Sequence, residues 1–223
     1  HTLSKEETLR AQWTADIAHD LRTPVTVLKG QLEAIADGVF TADAKRLDLL
    51  LRETARLENL INSLSLLTRL ESPNFKPEVQ RISLTDLLKQ TQARFEAEAA
   101  KRAMVVSIST KQAFVVADAA LLTRSLDNLI SNAIRYGEAN STIAITFEAD
   151  GQKNGAWLCI ENEGHIDQAF LPHVFDRLSR SEHARSTEGS GLGLAIVKAI
   201  VEAHHWTIEA ESNKTTRFII RFT

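Results

Sequence analysis

The chain has 223 residues, 43% of them hydrophobic and 25% charged, and a net charge of −3. That is ordinary globular material for two modest domains, and its balance excludes recruitment of nucleic acid or an anionic membrane by whole-chain charge. A single cysteine, Cys159, excludes an intramolecular disulfide and a cysteine-built zinc cluster, and no run reaches the ~18 apolar residues of a membrane span.

Apolar positions from Ile17 recur as Leu21, Val25, Leu28, Leu32 and Ile35, then resume as Leu47, Leu50, Thr54, Leu57, Ile61 and Leu64. Alternating threes and fours make a seam on two helices, and Asp37-Gly38-Val39-Phe40 between them suits a helix end and turn. Such a hairpin has too little core to stand alone. The expectation is that two of them pair as a four-helix bundle, a homodimer, with His19 outside the seam.

Residues 16–24 of the first helix read Asp-Ile-Ala-His-Asp-Leu-Arg-Thr-Pro. An imidazole attacks a phosphoryl group when one ring nitrogen is unprotonated and the other proton is held or removed, and Asp20 is placed for that. Thr23 follows His19 by four residues and so shares its helical face. Pro24 removes one backbone donor and is expected to bend the helix just after His19.

Ser72-Pro73-Asn74-Phe75-Lys76-Pro77 reads as a linker, because its two prolines end one helix and prevent another from starting. The division is therefore a hairpin over 1–72, a linker over 73–80 and a second domain over 81–223. Within the latter, helices are predicted over Leu84–Lys101, Asp118–Tyr136 and Gly193–His204. Strands are predicted over Val105–Ser109, Phe114–Ala117, Thr142–Glu148, Ala156–Glu161, Trp206–Glu211 and Arg217–Phe222. Hairpin-linked strands mixed with helices indicate an α+β sandwich, a sheet covered on one face by helices.

The helix ending at Tyr136 carries Asn128 and Asn132 four residues apart, hence on one face. Two amide carbonyls without a carboxylate suit a magnesium ion already neutralised by a nucleotide. Gly189-Ser190-Gly191-Leu192-Gly193-Leu194 runs into the next helix, where backbone N–H groups can approach phosphates at the positive end of the dipole. No strand directly precedes that turn and no Gly-Lys-Ser/Thr follows it, so it departs from both the dinucleotide fingerprint and the P-loop.

Taken in chain order, these segments resemble the sensor histidine kinases of bacterial two-component systems. His19-Asp20-Leu21-Arg22-Thr23-Pro24 resembles their phospho-acceptor box, and Asn128 to Tyr136 their asparagine box. The glycine turn resembles their ATP lid, and Leu171-Pro172-His173-Val174-Phe175-Asp176-Arg177 their phenylalanine-containing box. Across about residues 5–222 the resemblance implies a dimerising phosphotransfer hairpin, followed by an α/β sandwich ATP-binding domain of the histidine-kinase/gyrase/Hsp90 type.

The resemblance implies ATP and Mg²⁺ as ligands. Asn128 and Asn132 would meet the metal and phosphate, Arg135 a phosphate, and Tyr136 the wall of the nucleotide pocket. Phe175 would fold the lid over the site, Gly189, Gly191, Leu192, Gly193 and Leu194 would form the lid, and Arg177, Arg180 or Arg185 would reach the phosphates. The family's adenine-reading Asp-x-Gly-x-Gly is replaced by Glu161-Asn162-Glu163-Gly164-His165-Ile166. Two alignments are open: Asn162 in the aspartate position with Gly164 as first glycine, which keeps the glycine in register and is preferred, or Glu161 without a gap.

The implied activity is autophosphorylation of His19 and transfer to an aspartate of a response regulator, with Thr23 matching the position that aligns water for the reverse, phosphatase reaction. Rival readings are a degenerate dimeric scaffold and a related-fold ATPase, although Asn128 stands where such ATPases usually carry a catalytic glutamate. The N-terminus lacks a signal-peptide core and does not begin with Met. The expectation is a cytoplasmic portion of an inner-membrane sensor, touching the membrane only through upstream segments, with no direct nucleic-acid partner.

Overall fold

The computed structural model describes residues 2–150, 155–179 and 190–222. Helix α1 (Thr2–Ala36) contains Pro24 and continues beyond it, and α2 (Ala44–Leu70) returns alongside. The turn between them is built from local chemistry. Gly38 takes φ 72°, Asp43 caps α2 by accepting from the Arg46 N–H at 2.8 Å, and the Arg46 guanidinium lies 3.5 Å over the Phe40 ring. The same arginine donates to Gln31 at 3.0 Å, which ties the turn to the end of α1. Val25, Leu32, Leu47, Leu51 and Ile61 stay exposed along this hairpin. One hairpin therefore leaves much of its apolar surface in water, and each such half-exposed side chain forgoes part of the roughly 1.5–3 kcal/mol that full burial contributes.

After an extended stretch the chain forms β1 (Gln80–Ser83), α3 (Leu84–Ala100), β2 (Val105–Ser109), β3 (Phe114–Ala117) and α4 (Ala119–Tyr136). It then forms β4 (Thr142–Asp150), β5 (Gly155–Glu163), a single 3₁₀ turn at Leu171–His173, α5 (Gly193–Ala203), β6 (Thr207–Ser212) and β7 (Thr215–Phe222). The main sheet has the order β2-β4-β5-β7-β6, parallel only between β2 and β4, while β1 and β3 pair separately. β1 is the strand that the sequence reading did not expect. Its four residues acquire their order from pairing with β3, more than thirty residues onward, and so leave little local signal.

Helix α4 buries Leu122, Leu126, Leu129, Ile130 and Ala133 against Ile143, Ile145, Leu158, Ile160, Phe218 and Ile220 of the sheet. The opposite sheet face carries charge ladders, Arg217 with Glu211 at 3.2 Å and Arg221 with Glu209 at 3.4 Å. Two devices fix the ends of α4. At its start Asp118 accepts from the N–H groups of Ala120 and Leu121 and, from the preceding extended segment, of Glu78. At its end Arg102 donates to the carbonyls of Ile134, Arg135 and Gly137, groups that a helix terminus leaves without intrahelical partners.

A second apolar cluster joins the two halves of the chain. Leu60, Leu67 and Leu70 of α2 bury against Leu192, Ile196 and Ile200 around α5. None of the three α2 leucines belongs to the seam expected from the heptads; they cluster with residues of α5, and Leu21 of α1 and Leu64 adjoin the same cluster. Arg177 pairs with Glu71 just past the end of α2, and Arg124 of α4 donates to Ser63 of α2 at 3.3 Å.

Candidate nucleotide site and phospho-acceptor histidine

Helix α4 is apolar toward the sheet, so its polar residues line up on the other side. Arg124, Asn128, Ser131, Asn132, Arg135 and Tyr136 form one wall of a cavity of about 1120 Å³. The end of β5 contributes Asn162 and Gly164, the turn into α5 contributes Ser190, Gly191, Gly193 and Leu194, and β7 contributes Thr216 and Phe218. Asn59 and Ser63 of α2 complete the rim, so part of this cavity belongs to the hairpin.

At one end of α4 the chain is held closely. Gly164 has φ +121°, and a Cβ there would stand 3.1 Å from the Tyr136 carbonyl oxygen. Asn162 is only 4% exposed and donates through Nδ2 to the Glu163 carbonyl at 2.9 Å. One of its two amide N–H donors is thereby occupied, and Oδ1 remains as an acceptor. Glu161 lies on the opposite face of β5, accepting from the Thr215 hydroxyl at 2.7 Å and facing Arg217. Of the two open alignments, the cavity wall thus holds Asn162 and not Glu161.

Toward the other end Asn128 approaches the start of α5. Its Oδ1 is 3.4 Å from where a Cβ on Gly193 would stand, and its buried Nδ2 has no hydrogen-bond partner among the described residues. An amide pair set beside a helix N-terminus, with a donor unspent, fits phosphate oxygens and a cation brought by them. Among the described residues no three His, Cys, Asp or Glu side chains gather as a metal site. The two amide oxygens of Asn128 and Asn132 are of the kind that suits Mg²⁺ brought in with the phosphates of a nucleotide. Gly191, with φ +67°, passes within 2.8 Å of the Leu178 backbone measured from a Cβ position, so only glycine fits that crossing.

Several expected site residues stand elsewhere. Phe175 packs edge-on to Phe218, ring centres 6.1 Å apart, and joins the main core without lining the cavity. Leu192 is fully buried in the α2–α5 cluster, and Arg177 is engaged with Glu71. Arg180, Arg185 and Gly189 lie outside the described residues. Arg124, Asn59, Ser63 and Arg102 were not foreseen. Arg124, four residues before Asn128, shares its face and was legible from spacing alone. Asn59 and Ser63 come from the other half of the chain and carried no local signal.

His19 is on α1, away from the cavity, with its side chain 77% exposed and Nδ1 3.5 Å from Asp20 Oδ1. Thr23 turns its hydroxyl back to the His19 carbonyl at 3.3 Å, a local backbone bond and not a contact with the ring. Nε2 is thus the nitrogen turned away from the carboxylate.

Residues 9–73 match the His Kinase A (phospho-acceptor) domain family, and residues 117–223 match the Histidine kinase-, DNA gyrase B-, and HSP90-like ATPase family. Sensor histidine kinase CusS of Escherichia coli strain K12 is 34% identical over 220 residues, covering 96% of this chain and 45% of CusS. The chain therefore spans about half the length of the curated relatives it matches. Among solved structures, the histidine kinase AdeS of Acinetobacter baumannii superposes with a TM-score of 0.77 at 28% identity, over 92% of this chain and 97% of AdeS. Histidine kinase ThkA, solved in complex with response regulator protein TrrA, gives 0.74 at 20% identity over 98% of this chain and 63% of that one, a likeness of fold. Two families matched in the order hairpin then ATPase fold, and likeness to sensor kinases along nearly the whole chain, leave one assignment: the chain belongs to the sensor histidine kinases of two-component systems.

Proposed function

We propose that this chain is the transmitter portion of a dimeric sensor kinase, a hairpin domain over 1–72 joined by 73–80 to an ATP-binding domain over 81–223. The domain binds ATP·Mg²⁺ in the α4 cavity, phosphorylates His19, and passes the phosphoryl group to a response-regulator aspartate. The observation that carries the reading is the pairing, in one chain, of an exposed imidazole beside a carboxylate with a cavity walled by two amides and a helix N-terminus. Asn162 Oδ1 accepts from the adenine amino group, and Asn128, Asn132, Arg135 and the N–H groups at Gly193 and Leu194 hold the phosphates. When bound, Mg²⁺ supplies neutralisation of charge on the phosphate oxygens.

With Nδ1–H directed at Asp20, the Nε2 lone pair attacks the γ-phosphorus. The bond to the β–γ bridging oxygen breaks toward ADP, and the positive ring is relieved when Asp20 takes or holds the Nδ1 proton. The ring lies outside the cavity, so the step requires the α2–α5 contact to open, or delivery to the ring of a second copy paired through the exposed apolar positions of the hairpin. ThkA, of like fold, assembles with a response regulator, which supports the same class of partner here. Thr23 aligns water for hydrolysis of the phosphoryl-aspartate. The chain acts on the cytoplasmic side of a longer, membrane-borne sensor.

The test is incubation with γ-labelled ATP. The reading requires an acid-labile, base-stable label that disappears in His19→Ala. Acid-stable label, or label retained by His19→Ala, refutes it, and sustained hydrolysis without a labelled intermediate favours a related-fold ATPase.

A further inference from the structure

Arg124 belongs to none of the motifs singled out in the sequence, yet it stands half-buried on the cavity wall one turn before Asn128. Its guanidinium is only partly engaged. One Nη2 donates to the Ser63 hydroxyl of α2 at 3.3 Å, a long bond, and the buried Nε has no hydrogen-bond partner among the described residues. A half-used, half-buried guanidinium facing a cavity is matched to a planar or tetrahedral oxyanion, which it holds by two parallel N–H bonds.

The direction of the cavity identifies which oxyanion. Asn162 and Tyr136 stand at the C-terminal end of α4, and Asn128 meets the start of α5. At 1.5 Å per residue, Arg124 lies about 12 Å along the axis from Asn132 and about 18 Å from Tyr136. A nucleotide with its base at Asn162 and its phosphates beside Asn128 therefore extends its last phosphoryl group toward Arg124.

Resting on that nucleotide reading, we propose that Arg124 is a binding residue for the terminal phosphate, and that triphosphate and hairpin compete for its guanidinium through Ser63. A phosphate oxygen is the stronger acceptor of the two, since it carries the negative charge that the neutral Ser63 hydroxyl lacks and can be held bidentately by the guanidinium. Filling the cavity with ATP then draws Arg124 off α2, whereas ADP, one phosphoryl shorter, leaves the Arg124–Ser63 bond in place. The α2–α4 tether yields only when the donor of the phosphoryl group is present.

Calorimetric titration of the 223-residue chain with ATP and with ADP tests this. Arg124→Gln should weaken ATP by about tenfold or more while ADP changes by less than about twofold. Ser63→Ala, which removes the competitor, should tighten ATP by about two- to fivefold and leave ADP as it is. Arg124→Lys keeps the charge without the fork, so it should fall between wild type and Arg124→Gln, and it decides the matter if the latter does not fold. Equal loss of both nucleotides, or no loss of either, overturns the role of Arg124 while the nucleotide site stands. Weaker ATP binding in Ser63→Ala overturns the competition. A wild-type chain that binds neither nucleotide overturns the site itself and this role with it.

Discussion

Arg102 is the position where a single side chain outside the cavity is expected to control the cavity's shape. Its guanidinium donates to three carbonyls at the end of α4, those of Ile134, Arg135 at 2.8 Å and Gly137 at 2.9 Å. These oxygens close the helix turn that carries Arg135 and Tyr136 and leads to Gly137, packed beside Asn162. Arg102→Met keeps the aliphatic stem and removes every donor. A charged hydrogen bond contributes about 1.5–3 kcal/mol, but three bonds on one half-exposed fork are not additive and water replaces part of them, so the loss should be about 2–3 kcal/mol. For a domain of roughly 150 residues, that lowers the melting temperature by about 6–9 °C. Arg102→Lys retains the charge near the negative helix end, a term of about 0.3–1 kcal/mol, and should recover only that part. Thermal melting followed by circular dichroism, with ATP titration of each variant alongside, reads both effects. If Arg102→Met melts within about 1 °C of wild type, the fork does not hold the end of α4 and the reasoning fails.

Gly164→Ala sets a Cβ 3.1 Å from the Tyr136 carbonyl at φ +121°, so about 1–3 kcal/mol of strain should appear as a lower melting temperature together with weaker ATP binding. Unchanged values of both would contradict it. Leu67, 1% exposed between α2 and α5, should cost about 2–4 kcal/mol on change to Ala. Because the cavity opens at the junction, hydrogen exchange should speed up in α5 before it does in α4, and uniform acceleration would argue against a separable contact. Burial raises the Cys159 thiol above its ordinary value of 9.0, with Arg217 opposing the shift. The folded chain therefore keeps this proton after the unfolded chain has lost it, and the stability present below pH 9 declines as the pH rises above it. Urea midpoints at pH 7.5 and 10 should show that decline, and Cys159→Ala should show a smaller one; an equal decline in the variant would remove Cys159 as its source.

The elements that the sequence announced are those with strong local periodicity or punctuation. The 3.6-residue pattern of α4 required both an apolar face for the sheet and a polar face bearing Asn128 and Asn132, and the cavity wall follows from that geometry. Gly38 is a local turn signal and the end of α1 lies beside it, whereas the caps that Asp43 and Asp118 supply to α2 and α4 are visible only in the structure. The family resemblance was legible for the same reason, since its boxes are short strings whose chemistry is carried by near neighbours.

What only the tertiary structure decided are the meetings of residues far apart in the chain. The pairing of β1 with β3, the packing of Leu60, Leu67 and Leu70 on α5, and the Arg102 cap each join partners separated by more than thirty positions. A leucine on a helix reads the same whichever neighbour covers it, because hydrophobic burial has no direction until another surface arrives. The opposite facing of Asn162 and Glu161 has the same origin. Both are polar residues at a strand end, and it was the pleat of β5, alternating faces residue by residue, that turned one toward α4 and the other toward Arg217.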